Sequence, residues 1–263
     1  MTFSANPESR RTSTQSSIDS DRLIVALDVR SAAEAQRIVA QLGDRVRFYK
    51  VGMQLYTAEG PAIVRELVRS GHRVFLDLKY HDIPNTVASA VREAAQLGVS
   101  MLTVHASGGK KMLAAAVEGA RSGGRPAGSS QSNSEVLKIL AVTVLTSMDQ
   151  QDLNQVGVAG AVMDQVARLA SMARDAGCSG VVSSAHEAQI VRKEMGIDFL
   201  VVTPGVRPAG SQSGDQARVV TPADAIAAGA SHIVVGRPIT SAQNPAAAAR
   251  SILEQMQRIE PKF

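Results

Sequence analysis

The sequence is poor in aromatic residues and in cysteine. Its 263 residues include no Trp, three Tyr and five Phe, so few side chains are available to stack on the bases of single-stranded nucleic acid. Cys178 is the only cysteine, which excludes a disulfide within the chain and is typical of a protein from a reducing cytosol. These shortages argue against a nucleic-acid-binding protein and predict a cytoplasmic location.

The sequence also lacks a dense block of one charge and a long apolar run. Lys and Arg number 28 against 24 Asp and Glu, so the charge favours an anionic small molecule over a polyanion as the partner. No apolar run approaches the ~20 residues of a membrane helix, and we expect no membrane association. Residues 1–20 are rich in Ser and Thr, and they predict a flexible tail ahead of a catalytic domain at residues 21–263.

The chain does contain a repeated alternation of apolar segments and helical segments. The helical segments are Ala-rich, with apolar residues at helical spacing and with Ser31 and Asn85 as candidate N-caps. Eight apolar strands separated by helices are the number that closes a (β/α)₈ TIM barrel, and we predict this α/β fold as a single domain. An open doubly wound sheet is the alternative. The eight β-prone segments begin at Leu23, Arg47, Arg73, Met101, Lys138, Gly180, Asp198 and His232.

Two polar segments interrupt this alternation. Residues 121–135 are rich in Gly and Ser, and they predict a flexible surface loop before the fifth strand. Residues 205–220 follow the seventh strand at the mouth where barrels carry their active sites, and they suggest a mobile lid.

Charged residues collect at the carboxyl ends of the first four predicted strands. Asp28 ends the first strand and Lys50 the second, while Asp77 and Lys79 end the third and His105 the fourth. Side chains alternate along a strand, so Asp77 and Lys79 should share one face, and in a barrel all these strand ends meet at one mouth. We interpret the group as a functional site; an ordinary ion pair at a strand end is the alternative.

A metal site at this mouth is a competing interpretation. Lys50 and Lys79 already supply positive charge there, and the sequence has no close-spaced pair of histidines, so we predict neither a metal nor another cofactor. The side chains that could ligate a metal are Asp77, His81, Asp82 and His105. The remaining histidines are expected to be ordinary surface or capping residues: His72, His186 and His232.

Two turns that contain glycine and arginine follow the last two strands. Gly205 and Arg207 come after the seventh strand, and Gly236 and Arg237 come after the eighth. TIM barrels frequently hold a phosphate group at this position, through loop amides and a helix N-terminus. The two turns therefore predict a phosphate site, with ordinary turns and surface arginines as the alternative.

These motifs together resemble the orotidine 5′-phosphate decarboxylase family. The resemblance implies a metal-free and cofactor-free enzyme of de novo pyrimidine biosynthesis that converts orotidine 5′-phosphate (OMP) to UMP and CO₂. It also implies a homodimer in which Asp82 and Thr86 reach the neighbouring subunit's site. The matching stretches occur in family order from Leu23 to the last helix: ALDV, YKVG, DLKYHDIPNT, VLTS, SAHE, TPGVRP, SGDQAR and VGRPIT.

The resemblance implies a role for each matching residue. Lys79 would protonate C6 of the substrate, within an array completed by Lys50, Asp77 and Asp82. Asp28 would hold the ribose hydroxyls, joined by Thr86 from across the interface. The other implied contacts are to the pyrimidine, from Thr146 and Ser147, and to the phosphate and lid, from Arg207, Gln216, Gly236 and Arg237.

Two other functions fit parts of the pattern. A metal-dependent sugar-phosphate decarboxylase or aldolase of the same superfamily would share the Asp-x-Lys-x-x-Asp core. Such enzymes use an acidic residue on the second strand to bind their metal, and this chain has Lys50 at that position. A catalytically silent nucleotide-binding barrel is the alternative from another class, although every charged member of the array is present.

Overall fold

The computed structural model describes residues 20–124, 136–208 and 220–257, and within them eight parallel strands close into a barrel in chain order. Each strand pairs with the next, and the eighth pairs with the first. The predicted (β/α)₈ barrel is therefore confirmed, and the open-sheet alternative is wrong. The strands are β1 (Leu23–Ala26), β2 (Phe48–Gly52), β3 (Arg73–Tyr80), β4 (Met101–His105), β5 (Lys138–Val142), β6 (Gly180–Val182), β7 (Leu200–Thr203) and β8 (His232–Val235).

Helices connect the strands and cover the outside of the barrel. Short 3₁₀ helices at Gly43–Arg45 and Ala106–Gly108 supplement them. In the described parts of the chain, no helix combines the length and apolar character needed to cross a bilayer. The helices are α1 (Ala32–Leu42), α2 (Met53–Glu59), α3 (Pro61–Arg69), α4 (Pro84–Gln96), α5 (Gly109–Ser122), α6 (Gln150–Gln155), α7 (Val162–Asp175), α8 (Ala185–Met195), α9 (Pro222–Ala227), α10 (Arg237–Thr240) and α11 (Pro245–Gln257).

The apolar side chains of the strands form two separate clusters. Along β1, Ile24 and Ala26 belong to the cluster inside the barrel, while Leu23 and Val25 pack between the sheet and the helices. This alternation follows from the two-residue period of a strand. The inner cluster fills the barrel, so a ligand must bind at the mouth and not within the barrel. Its members are Ile24, Ala26, Phe48, Phe75, Met101, Leu140, Val202 and Val234.

The two predicted N-caps have different outcomes. Ser31 caps α1, where its hydroxyl accepts a hydrogen bond from the N–H of Glu34. Asn85 is not a cap, because α4 begins one residue earlier at Pro84 and has Ile83 at the N-cap position. Proline is favoured at the first position of a helix, since its fixed φ suits the helix and its missing N–H leaves no bond unmade. Pro84 therefore explains where α4 begins.

Arg192, in α8, cross-links the amino-terminal end of the barrel. Its side chain is buried, and the five N–H groups of its guanidinium make six hydrogen-bond contacts of 2.7 to 3.2 Å, with the two hydrogens of Nη1 shared among three acceptors. The acceptors lie in the connections that lead into β7 and β8, so this one side chain fixes both strands at their starts. They are the carbonyl oxygens of Gly196, Ile197, Phe199 and Gly229 and the hydroxyl of Ser231.

His232 differs from the expectation of an ordinary surface residue. Its ring packs edge-on against Phe48, with 5.9 Å between the ring centroids. Burial lowers the pKa of His232 to about 3, helped by the positive charges of Arg73, Lys138 and Arg22. His232 is therefore a neutral part of the packing at the closed end of the barrel.

The three predicted flexible segments fall largely outside the described residues. The tail lies there except for Ser20, as do residues 125–135 of the predicted loop and residues 209–219 of the predicted lid. Helix α5 continues through Ser122, so the loop prediction is wrong for its first residues. The described ends of the lid segment are paired: the N–H of Arg207 donates to the carbonyl oxygen of Val220 at 3.0 Å.

Candidate active site

Four charged side chains meet at the carboxyl ends of β1, β2 and β3. The Nζ of Lys50 lies 2.8 Å from Oδ1 of Asp28 and 3.7 Å from Oδ2 of Asp77. The Nζ of Lys79 donates to Oδ1 of Asp77 at 2.9 Å. The structure thus brings these predicted residues together as a row of alternating charge, and we refer to Asp28, Lys50, Asp77 and Lys79 as the charged row.

Gly52 provides the space for one end of the charged row. A Cβ atom at this position would lie 2.7 Å from Nζ of Lys50 and 2.9 Å from Oδ1 of Asp28. Both distances are shorter than nonbonded carbon contacts allow. The absence of a side chain at Gly52 therefore permits the Lys50–Asp28 contact.

Asp77 is the centre of the charged row, and Thr103 of β4 is its additional partner. The hydroxyl of Thr103 donates to Oδ1 of Asp77 at 2.9 Å. Burial raises the pKa of Asp77, but the charges of Lys50 and Lys79 and the hydrogen bonds from Lys79 and Thr103 have the larger, opposite effect. The pKa of Asp77 therefore lies below its usual value. Asp77 is therefore an anion at neutral pH. Sequence reasoning missed Thr103, which looks like an ordinary β-forming residue within MLTVH.

Lys79 has an unusual backbone conformation. Among the described residues, it is the only one other than glycine with a positive φ, of 52°. The pairing of β3 with β4 is interrupted at the same place, since Leu76 pairs with Leu102 but Tyr80 pairs with Val104. A side chain with a Cβ disfavours this left-handed conformation, so nearby contacts must hold it.

A cleft of ≈ 460 Å³ opens over the charged row. This size suits a small-molecule ligand such as a nucleotide. Carboxylates and lysines line it on the side of β1 to β3, and arginines line it on the side of β7 and β8, with apolar side chains such as Phe75 and Val182 between them. The predicted site residues that line the cleft are Asp28, Lys50, Asp77, Lys79, Thr146, Arg207, Gly236 and Arg237.

Comparisons with known proteins identify the family of this chain. The family model described as the orotidine 5′-phosphate decarboxylase / HUMPS family matches residues 21–252. The chain belongs to this family. The match includes the whole charged row and both cleft arginines, and it leaves out residues 1–20, where the sequence predicted a tail.

Relatives that carry the decarboxylase name match most of the chain. The orotidine 5′-phosphate decarboxylase of Moorella thermoacetica is 49% identical over 241 residues, which cover 91% of this chain and 94% of the relative. The one from a Methylobacterium species is 52% identical over 236 residues, with coverage of 90% and 95%. The crystal structure of orotidine 5′-phosphate decarboxylase from Lactobacillus acidophilus superimposes with a TM-score of 0.78 at 41% identity, covering 89% of this chain and 98% of that one.

Some residues that the family resemblance implicates lie away from the cleft. Asp82 is exposed and accepts a hydrogen bond from the N–H of Ile83 at 2.6 Å, beside a second and more open surface cleft. Thr86 is exposed in the first turn of α4, and Ser147 is exposed in the loop after β5. Gln216 lies outside the described residues. The roles assigned to these four residues stay predictions, as do the roles of those in the cleft.

The residues weighed as metal ligands do not form a compact set. Within the described ranges, no group of three His, Cys, Asp or Glu side chains is arranged to hold a metal ion. The rings of His81 and His105 lie 5.5 Å apart. Burial lowers the pKa of His105, as do the neighbouring His81 and Lys79, although Asp77 opposes this. The metal-free site stays a prediction.

Proposed function

We propose that this protein is an orotidine 5′-phosphate decarboxylase, a carboxy-lyase that converts OMP to UMP and CO₂ in pyrimidine biosynthesis. The observation that carries the proposal is the contact of Lys50 and Lys79 with the same Asp77 carboxylate, in a chain about half identical to decarboxylases of that name. We further propose that the enzyme works in the cytoplasm, which the single and buried Cys178 supports.

The chemistry requires a fixed cation beside C6 of the substrate. When the bond from C6 to the carboxylate breaks, the electron pair stays on C6, where no carbonyl group is placed to delocalise it as an enolate. The ammonium of Lys79 stabilises this pair and then gives a proton to it, which completes UMP. Asp77, whose Oδ1 lies 2.9 Å from the Nζ of Lys79, holds this group in place.

Proton donation alone is too weak to account for such a reaction. A positioned acid contributes ~10²- to 10⁴-fold, whereas the largest class of enzymatic accelerations reaches ~10¹⁷-fold or more. We assign the rest of the rate acceleration to charged groups that are already in place before the substrate binds. Lys50 serves this purpose, because Asp28 and Asp77 hold its ammonium from two sides.

The arginines of the cleft account for recognition of the phosphate. Arg207 is buried and Arg237 is exposed, and both line the cleft on the side away from β3. Guanidinium groups bind phosphate in a bidentate way that a lysine cannot reproduce. We assign the phosphate to Arg207, Arg237 and the backbone at Gly236, and the pyrimidine to Thr146 and Ser147, with Gln216 as a further phosphate contact.

The first experiment distinguishes this proposal from its rivals. We expect purified protein to consume OMP in a spectrophotometric assay, at a rate that excess chelator does not change. A metal-dependent sugar-phosphate enzyme would lose its activity in chelator and would not act on OMP. A silent nucleotide-binding barrel would bind UMP and leave OMP unchanged over hours, and either result would replace the proposal.

We also propose that the active enzyme is a homodimer in which Asp82 and Thr86 complete the neighbouring site. Asp82 is exposed and lies outside its own cleft, although the family resemblance includes it in the array. Beside it, the apolar side chain of Ile83 is 67% exposed, and that of Met53, which follows β2, is 54% exposed. A neighbouring subunit that reaches Asp82 would also cover Ile83 beside it, and removal of this apolar side chain from water would favour the contact.

Subunit mixing tests the shared site. Inactive Lys79→Ala chains are mixed with inactive Asp82→Asn chains under conditions that exchange subunits. In a mixed dimer, one site has both native residues and the other has neither, so random exchange should restore about a quarter of the wild-type activity. Each variant mixed with itself is the control. No recovery after verified exchange would contradict the shared site.

A further inference from the structure

Thr103 is the one residue of β4 that lies opposite the irregular part of β3. Between the paired residues, β3 advances four positions from Leu76 to Tyr80, while β4 advances only two from Leu102 to Val104. Asp77, Leu78 and Lys79 are therefore opposite one residue, Thr103, whose side chain is completely buried. A bulge of this kind leaves N–H groups of the longer strand without their ladder partners.

The hydroxyl of Thr103 makes two hydrogen bonds whose directions are fixed by chemistry. It accepts from the backbone N–H of Lys79 at 2.9 Å and donates to Oδ1 of Asp77 at 2.9 Å. An ionised carboxylate can only accept, and a hydroxyl has one hydrogen to donate. The same Oδ1 also accepts from Nζ of Lys79. The contacts thus form a closed ring that holds Lys79 by its backbone and by its ammonium.

We propose that Thr103 is a positioning residue for decarboxylation, whose hydroxyl holds the backbone of Lys79 in its left-handed conformation and orients Asp77, so that the ammonium is directed into the cleft. The hydroxyl replaces the ladder partner that the bulge removes from the Lys79 N–H. This inference rests on the proposed function, because its main readout is turnover of OMP.

The groups around Asp77 determine how its titration responds to the loss of this hydroxyl. Lys50 faces Asp77 from β2, Lys79 from β3, and Thr103 and His105 from β4, while Asp28 of the β1 end acts through Lys50. Substitution of Thr103 leaves all of these charges in place and removes one hydrogen-bond donor to the carboxylate. Asp77 should then take up a proton at a higher pH than in the wild type.

The test compares Thr103→Val, which removes only the hydroxyl function, with Thr103→Ser, which keeps it. We expect Thr103→Val to lower kcat for OMP by about 10- to 100-fold, with KM changed by less than about threefold, because one hydrogen bond to the charged Asp77 carboxylate and one from the Lys79 N–H are lost. The acidic limb of the kcat profile should move to higher pH. Thr103→Ser should stay within about threefold of the wild type in kcat.

Thr143 provides a matched control in the same barrel. It is a buried threonine just after β5 whose hydroxyl donates to the carbonyl oxygen of Val182 at 3.1 Å and not to a side chain of the charged row. Thr143→Val makes the same chemical change, and we expect it to leave kcat and its pH profile unchanged.

Three results would overturn the proposal. They are a Thr103→Val variant with wild-type kcat, equal losses in Thr103→Val and Thr103→Ser, and a loss of kcat with no movement of the acidic limb. If Thr103→Val does not fold, as judged by circular dichroism, Thr103→Ala takes its place under the same criteria. Wild-type protein that fails to turn over OMP would refute the proposed function instead, so the two failures are distinguishable.

Discussion

Replacement of Asp77 by asparagine removes the carboxylate that the two site lysines share and keeps the size of the side chain. In the wild type, Oδ1 lies 2.9 Å from Nζ of Lys79 and Oδ2 lies 3.7 Å from Nζ of Lys50. The Asp77 side chain is only 14% exposed, so solvent does little to weaken these contacts. In the variant, both ammonium groups face a neutral amide.

The size of the effect follows from this burial. Removal of one preorganised electrostatic partner of the reacting groups costs ~3–4 kcal/mol of transition-state stabilisation. Each 1.36 kcal/mol corresponds to a factor of about ten in rate. We therefore expect Asp77→Asn to lower kcat/KM for OMP by about 10²- to 10³-fold in the spectrophotometric assay.

A matched control is Asp44→Asn, which removes an almost fully exposed carboxylate 3.8 Å from Arg47 and should leave kcat/KM unchanged. A loss of less than tenfold in Asp77→Asn would refute this, because it would show that catalysis does not depend on the carboxylate that holds the Lys79 ammonium.

Asp77→Asn should also change how the stability of the protein depends on pH. The folded-state pKa of Asp77 lies below its unfolded value, so its contribution to stability is present above the unfolded pKa and is lost as the pH falls through the folded pKa. The free energy of unfolding should therefore differ between wild type and Asp77→Asn by a constant amount at neutral pH. The difference should shrink only below the ordinary carboxyl pKa of about 3.9.

Three further substitutions test other parts of the structure. Arg192→Met should lower the free energy of unfolding by ~3–5 kcal/mol, because the buried carbonyl groups of Phe199 and Gly229 lose hydrogen bonds from a charged donor, and should lower the melting temperature by about 6–20 °C. Arg168→Met, at an exposed residue with one hydrogen bond, should change little. The buried hydroxyl of Thr203 has no partner among the described residues, so Thr203→Val should leave the melting temperature unchanged or raise it; a clear decrease would contradict this. Arg237→Ala should raise KM for OMP and change KM for the phosphate-free nucleoside much less. An equal rise in both KM values would contradict the assignment of Arg237 to the phosphate site.

The barrel could be predicted because its determinants are local. The apolar runs that begin at Arg73, Met101 and His232 start β3, β4 and β8 at those residues. Once the strands are parallel, their carboxyl ends must meet at one mouth, so the proximity of Lys50 to Asp77 follows from topology. Neither inference needs knowledge of side-chain packing.

The features of the site that could not be predicted depend on contacts between distant parts of the chain. Thr103 becomes part of the site only through the register of β4 against β3, which no short stretch of sequence specifies. The alternation rule predicted that Asp77 and Lys79 share a face, but it did not predict the positive φ of Lys79. The contact of His232 with Phe48 likewise exists only because the closed barrel brings the start of β8 beside β2.

The bulge in β3 contains two additional residues, and an even number preserves the inner and outer faces of the strand. Leu76 before the bulge, Leu78 within it and Tyr80 after it all pack on the helix side of the sheet. An insertion or deletion of one residue would exchange the faces of all that follows, because the period of a strand is two. It would send Tyr80 towards the barrel interior. Between Leu76 and Tyr80, the length of the chain is therefore constrained as strictly as the charged side chains of Asp77 and Lys79.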